Sequence, residues 1–260
     1  MPSPFILVCP SSRGLSFALT RHLLKTTTLP VYATYRSGEP ETLKQKLISQ
    51  LDVDPARLNL LTLDLSSERS ILQAAESLTA SLKSHNEPFI HTAFLAGGIL
   101  HAEKQPRDLN LVDIKSTFDI NVISHLLLIK HFSRFLPPPQ MKKSMDYGPA
   151  KWVHVSARVG SISDNRLGGW YSYRASKAAL NQVVKTFDLH LTQKNIPAIC
   201  VGMHPGTVKT DLSKDFWGGV REDQLFEPED AAQKLVRVVN DLGETHRGRI
   251  WDWAQKEVLP

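Results

Sequence analysis

Phe5-Ile6-Leu7-Val8-Cys9-Pro10-Ser11-Ser12-Arg13-Gly14-Leu15-Ser16 is the stretch that decides the fold. Five consecutive apolar residues read as a short strand buried on both faces, because a strand with one wet face would alternate. After the polar turn, Leu15, Ala18, Leu19, His22 and Leu23 fall at helical spacing. A strand that runs through such a turn into a helix presents backbone N–H groups and a helix N-terminus beyond the strand end, which suits a phosphate.

The same alternation continues along the chain. Phe5 to Cys9, Val31 to Tyr35, Leu58 to Asp64, Ile90 to Ala96, Lys151 to Ser156, Ala198 to His204 and Gly248 to Trp253 make seven candidate strands. The segments between them carry helical spacing, as in Ile71, Ala74, Ala75, Leu78 and Leu82. This pattern predicts an α/β fold, a doubly wound sheet of about seven parallel strands with helices on both faces. The 260 residues, 42% of them hydrophobic and 22% charged, suit one domain over 1–260 as well as two small ones, and the unbroken alternation favours one. No internal repeat is visible. The least regular stretches are Pro137 to Pro149, which reads as a proline-interrupted surface loop, and Asp211 to Phe226, which mixes Phe216, Trp217 and Gly218-Gly219 with charges.

Composition narrows the function classes. The net charge of +5 is spread along the chain, and the densest loop pair is Lys142-Lys143, so nucleic acid is not an expected partner. The ten histidines show no His-x-x-x-His spacing and the two cysteines lie far apart, so no metal site is expected. Cys9 and Cys200 sit in apolar runs, which fits a reducing, cytoplasmic setting. The first apolar run is too short for a signal-peptide core, and no other run approaches the ~20 residues of a membrane helix, so no membrane partner is expected.

The chemistry is concentrated in Trp170-Tyr171-Ser172-Tyr173-Arg174-Ala175-Ser176-Lys177-Ala178-Ala179-Leu180. Tyr173 and Lys177 are one helical turn apart and share a face. A phenol, with a pKa near ~10 in water, exchanges protons poorly at neutral pH unless a fixed positive charge stabilises its phenolate. Lys177 is placed to be that charge. The same spacing also occurs in ordinary amphipathic helices, and Tyr147 with Lys151 matches it across Gly148-Pro149, where a helix is not expected. The spacing alone therefore decides nothing.

In an open parallel sheet the ligand crevice lies beyond the carboxyl ends of the strands. Those positions hold Ser12, Arg13, Gly14 and Leu15 after the first strand and Arg36, with no acidic residue at that tip, after the second. Asp64-Leu65 follow the third, and Ala96-Gly97-Gly98 the fourth. With Asn121 in Phe118-Asp119-Ile120-Asn121-Val122, with Tyr173 and Lys177, and with Pro205-Gly206-Thr207-Val208-Lys209-Thr210, the ordered set resembles a short-chain dehydrogenase/reductase of the single-domain kind over essentially the whole chain. Gly160-Ser161-Ile162 and the residues around Tyr173 are most similar to its carbonyl-reductase and cell-signalling subgroup, which includes sniffer and C-factor.

Arg36 after the second strand and Arg13 in the turn, with no carboxylate there to accept ribose hydroxyls, point to NADP(H) as the cofactor. The resemblance implies hydride transfer from a nicotinamide to an aldehyde, ketone or quinone-like carbonyl, giving an alcohol, with Tyr173 as general acid. It implies that Lys177 holds the nicotinamide ribose and lowers the phenol pKa, and that Asn121 positions a water relaying protons to Lys177. It places the cofactor along Ser12, Arg13, Gly14, Leu15, Arg36, Asp64, Leu65, Gly97, Asn121, Tyr173, Lys177, Val208 and Thr210. Without the family, Asp64 is equally a helix start before Ser66-Ser67-Glu68, and Val208 and Thr210 a proline-led loop.

Three departures stand out. Cys9-Pro10 replaces the Thr-Gly that usually begins the glycine turn, with Ser16 in place of its last glycine. Phe94-Leu95 replaces the usual Asn-Asn. Ala157 falls at the usual catalytic serine, leaving Ser156 and Ser161 as candidates, with Ser156 preferred because it ends the strand. The last departure keeps open a protein of another class, an NADP(H)-binding sensor with little turnover. Arg158 to Trp170 and Asp211 to Phe226 are expected to frame the substrate, and their aromatic residues equally suit a homo-oligomer contact.

Overall fold

The computed structural model describes residues 2–143 and 148–260. Tyr147, the control for the Tyr-x-x-x-Lys spacing, lies outside the described residues, as does part of the 137–149 stretch. The chain runs β1 (Ser3–Cys9), α1 (Gly14–Thr26), β2 (Val31–Tyr35), α2 (Pro40–Ile48), β3 (Leu58–Thr62), α3 (Glu68–Ser81), β4 (Pro88–Leu95), α4 (Leu111–Phe118), a π turn (Asp119–Ile123) and α5 (Ser124–Phe132). It continues through β5 (Ala150–Val155), α6 (Tyr171–Gln193), β6 (Ala198–His204), β7 (Thr207–Val208), β8 (Leu225–Phe226), α7 (Pro228–Asp241), β9 (Ile250–Asp252) and β10 (Glu257–Val258).

Among the described residues, eight strands form one sheet in the order β10-β9-β6-β5-β4-β1-β2-β3. All neighbours are parallel except β10, which pairs antiparallel with β9. The seven expected strands are all present, and the two-residue β10 is the addition. β7 and β8 form a second, two-stranded parallel pair that brackets the segment that looked least regular in sequence, β7 just before it and β8 at its end.

Alternation along β1 explains the layering. Phe5, Leu7 and Cys9 pack on one face with Ile71 and Leu78 of α3, Phe132 of α5 and Val184 and Phe187 of α6. Ile6 and Val8 pack on the other with Leu19 and Leu23 of α1 and Leu235 and Val239 of α7. The sheet is thus covered twice, and every crossover helix starts on the side where the parallel strands end. The strand order reverses direction between β1 and β4, and a crevice opens there. Among the described residues, no helix is long and apolar enough to cross a membrane.

Candidate active site

A cavity of about 1230 Å³ occupies the carboxyl side of the sheet, walled by the start of α1, the loop after β4, the end of β5, the first turns of α6 and the loop after β6. Tyr173 and Lys177 face it from α6. Both are buried, and Lys177 Nζ lies 5.7 Å from the centre of the Tyr173 ring. The ammonium donates to the carbonyl of Val155 at 3.0 Å, which ties α6 to the end of β5. Contrary to the lowering expected from Lys177, burial pushes the Tyr173 phenol up to about 12, and it pushes the Lys177 ammonium down to about 8. Gly160 lets this packing occur, because a Cβ there would stand 2.7 Å from the Lys177 carbonyl carbon.

Asn121 sits in the π turn between α4 and α5, a distortion often found at functional positions. Its side chain is fully buried: Oδ1 accepts the Ile99 N–H at 2.8 Å, while Nδ2 donates to Ile99 O at 2.9 Å and to Ser176 Oγ at 3.0 Å. One amide thereby joins the loop after β4 to α6. Lys177 Nζ and Asn121 Oδ1 converge on the spot beside Gly98, where an added Cβ would meet them at 3.5 and 3.6 Å.

The candidate hydroxyls are placed differently. Ser156 borders the cavity and its Oγ donates to Asn181 Oδ1 at 2.6 Å. Ser161 is buried outside the cavity wall, its Oγ accepting the Asp164 N–H at 3.1 Å. Ala157 lies in the wall itself.

Arg13, Gly14, Leu15, Val208 and Thr210 also line the cavity, whereas Ser12, Arg36, Asp64, Leu65, Gly97 and Asn121 stand outside its wall. Arg36 and Ser12 are exposed. Asp64 Oδ1 accepts the Ser66 N–H at 2.9 Å and the Ser66 hydroxyl at 2.8 Å. That backbone bond, with the hydroxyl and the nearby charge of Arg36, holds its carboxyl below the usual range. A carboxylate therefore does face Arg36, from β3 rather than from the tip of β2.

Other groups carried no sequence signal. Ile99, Leu100, His101 and Glu103 line the cavity from the loop after β4. Trp170 packs on Phe216 with ring centres 4.7 Å apart, so both segments expected to frame a substrate do meet at the cavity. Beneath the loop lies a buried relay. Trp152 Nε1 can only donate, and it does so to His154 Nε2 at 3.1 Å. His154 therefore carries its hydrogen on Nδ1 and gives it to His125 Nδ1 at 2.8 Å, and His125 Nε2–H reaches Gly97 O at 3.0 Å. Burial, with a further contribution from the charge of Lys177, pushes His125 down to about 3. Burial and the neighbouring His125 drive His154 well below the usual histidine range. Among the described residues, no cluster of three or more His, Cys, Asp or Glu is arranged to hold a metal ion.

The sequence profile of the short chain dehydrogenases matches residues 4–219, and the chain belongs to that family of oxidoreductases. It is 29% identical over 245 residues to the 1-hydroxy-2-glutathionyl-2-methyl-3-butene dehydrogenase of Rhodococcus sp. (strain AD45), covering 94% of each chain. It is 34% identical over 152 residues to C-signal of Myxococcus xanthus, covering 58% of this chain and 81% of the other. The NADPH-bound carbonyl reductase from chicken fatty liver superposes over 100% of both chains with a TM-score of 0.82 at 27% identity.

Proposed function

We propose that the protein is an NADPH-dependent reductase that converts a carbonyl to an alcohol. The observation that carries this reading is the placement of Tyr173 and Lys177, one turn apart on α6 and both bordering a cavity at the carboxyl ends of parallel strands. The likeness to an NADPH-bound carbonyl reductase supports it.

The residues present fit a dinucleotide. Gly14 has φ +57 and a Cβ there would stand 3.2 Å from Thr210 Cγ2, so the turn after β1 and the loop after β6 leave a narrow cleft that any side chain would fill. Arg13, Gly14, Leu15, Val208 and Thr210 would hold the pyrophosphate and nicotinamide ends, and Arg36, Asp64 and Leu65 the adenosine end outside the cavity. When bound, the nicotinamide supplies the hydride.

The chain's own groups manage the proton and the charge. Burial keeps Tyr173 protonated, so its O–H donates to the substrate oxygen as negative charge develops there. The phenolate left behind is stabilised by the Lys177 ammonium beneath the ring. Lys177 and Asn121, converging beside Gly98, hold the water that returns a proton. Ser156 polarises the carbonyl from the end of β5. To do so the Asn181 amide must turn over, so that Nδ2 donates to the serine oxygen and the hydroxyl hydrogen is released toward the cavity.

Two observations favour a sensor with little turnover: the wall holds Ala157, and the Ser156 hydroxyl is engaged by Asn181. NADPH oxidation measured against aldehydes, ketones, diketones and quinones decides between the two. Turnover on any of these carbonyls supports the reductase, and NADPH binding without turnover across the panel overturns it.

A further inference from the structure

A carboxylate lies under the start of the helix that carries Tyr173. Glu103, in the loop after β4, is only 4% exposed and forms part of the cavity wall. It grips the beginning of α6 at three points. Its main-chain carbonyl accepts the Trp170 N–H at 2.6 Å, Oε2 accepts the Ser172 N–H at 3.3 Å, and the Ser172 hydroxyl donates to Oε1.

Local sequence offers the helix no cap of its own. The residue before α6 is Trp170, whose indole N–H is a donor and cannot accept from the free N–H groups of a first turn. The chain arrives there through three successive left-handed residues, Gly168, Gly169 and Trp170, with φ of +63, +66 and +50. The glycines take that conformation freely. A tryptophan does not, so it must be held by its surroundings. Held there, its ring meets Tyr173 edge-on at 6.1 Å and Phe216 at 4.7 Å. The bonds from Glu103 thus fix both the origin of the helix and the aromatic ring that abuts the phenol.

We propose that Glu103 is a positioning residue: a helix cap supplied from 69 residues away that sets where the Tyr173 hydroxyl stands over the cavity. The proposal rests on the reading of Tyr173 as proton donor. A carboxylate is also the favoured charge at a helix N-terminus. Misplacing a reacting group by an ångström can lower a rate by about 10²-fold. The hydrogen bonds described for Glu103 go to Trp170 and Ser172 at the start of α6, away from the α1 turn and the loop after β6 assigned to the dinucleotide, so cofactor affinity is expected to be spared.

The test compares wild type with Glu103→Ala, Glu103→Gln and Ser172→Ala, using NADPH and a panel of diketones and quinones that includes 9,10-phenanthrenequinone. The Trp170 N–H bond goes to the main chain of Glu103 and survives every substitution, and a thermal melt verifies that each variant folds. Glu103→Ala should lose about tenfold to 10²-fold in kcat, with KM and the NADPH dissociation constant within about twofold. Its near-ultraviolet circular dichroism should lose part of the contribution of Trp170, defined by the difference between wild type and Trp170→Phe, because the main-chain bond to Trp170 remains while the carboxylate bonds to Ser172 are gone. Glu103→Gln keeps one acceptor and should fall between. A Glu103→Ala enzyme with wild-type kcat and an unchanged aromatic spectrum overturns the proposal, as does a parallel loss of NADPH affinity and kcat in all three variants. If the wild type reduces no carbonyl, the functional reading fails by itself, and the aromatic spectrum alone decides whether Glu103 sets the helix start.

Discussion

Ser156 Oγ donates to Asn181 Oδ1 at 2.6 Å, joining the end of β5 to α6 one turn beyond Lys177. The bond decides which hydroxyl can serve a substrate and when. Ser156→Ala should lower kcat by on the order of 10²-fold, the usual cost of one donor to a developing oxyanion, and Ser161→Ala by much less. Asn181→Asp should resemble Ser156→Ala, because a carboxylate only accepts and would keep the hydroxyl hydrogen pinned away from the cavity. Steady-state kinetics of the three variants test this. The reverse ranking would transfer the role to Ser161, and near-neutral results for both serine variants would mean that Tyr173 works without a serine partner.

Tyr173→Phe should remove turnover by on the order of 10²-fold or more while NADPH affinity stays within a few-fold. Lys177→Ala should damage both. With its ammonium pushed down to about 8, Lys177 loses its proton as pH rises through that value, and the support for the phenolate goes with it. The rate should therefore decline above about pH 8, well before an ordinary lysine would titrate. A flat profile to pH 10 would remove Lys177 from the mechanism.

Arg13 borders the cavity at the α1 turn and Arg36 stands exposed at the tip of β2, where a 2′-phosphate is the natural partner of guanidinium groups. Isothermal titration should show NADPH bound more tightly than NADH. Replacing both arginines by Ala should weaken NADPH by roughly tenfold or more and NADH far less. Because Asp64 faces Arg36, Asp64→Asn should leave the preference for NADPH intact or sharpen it. Equal losses for the two cofactors would count against the assignment.

Acid should destabilise the fold earlier than carboxylates alone require. His125 is pushed down to about 3, and His204, by burial and then by the charge of Arg158, to about 4; His154 is also driven far down. Between those values and about 6.5 the unfolded chain binds protons that the folded chain refuses, so stability falls as pH drops below 6.5. Each such histidine contributes about 1.4 kcal/mol per pH unit. Urea denaturation at pH 7, 6 and 5 measures the slope, and constant stability over that range would show that these histidines take up protons as readily in the fold as in the unfolded chain.

Much of this architecture was legible because short β-branched or aliphatic runs alternate with segments of helical spacing, and all seven such runs are strands. β7, β8 and β10 were not, since a two-residue strand has no period to detect. Asn121 was recognisable by its neighbours, yet the π turn that buries its amide against Ile99 and Ser176 has no local signature. Glu103 reads as one more loop carboxylate until the fold brings it beneath Ser172, and the Trp152–His154–His125 relay joins segments 29 residues apart with no pattern in either. Sequence spacing reports what one element does to itself. The helix cap and the relay are made between elements, where only the fold sets the distance.

The reversed strand β10 has a bearing on how copies of this chain meet. An open sheet offers its edge hydrogen-bonding groups to any passing extended segment. On the β9 side, β10 covers that edge with only two residues of ladder, too little to template a neighbour. On the other side β3 presents five residues, Leu58 to Thr62, paired with β2 alone. Among the described residues the longer open edge of the sheet is therefore that of β3, and a charge or proline placed along it is expected to limit edge-to-edge pairing without touching the chemistry at the strand ends.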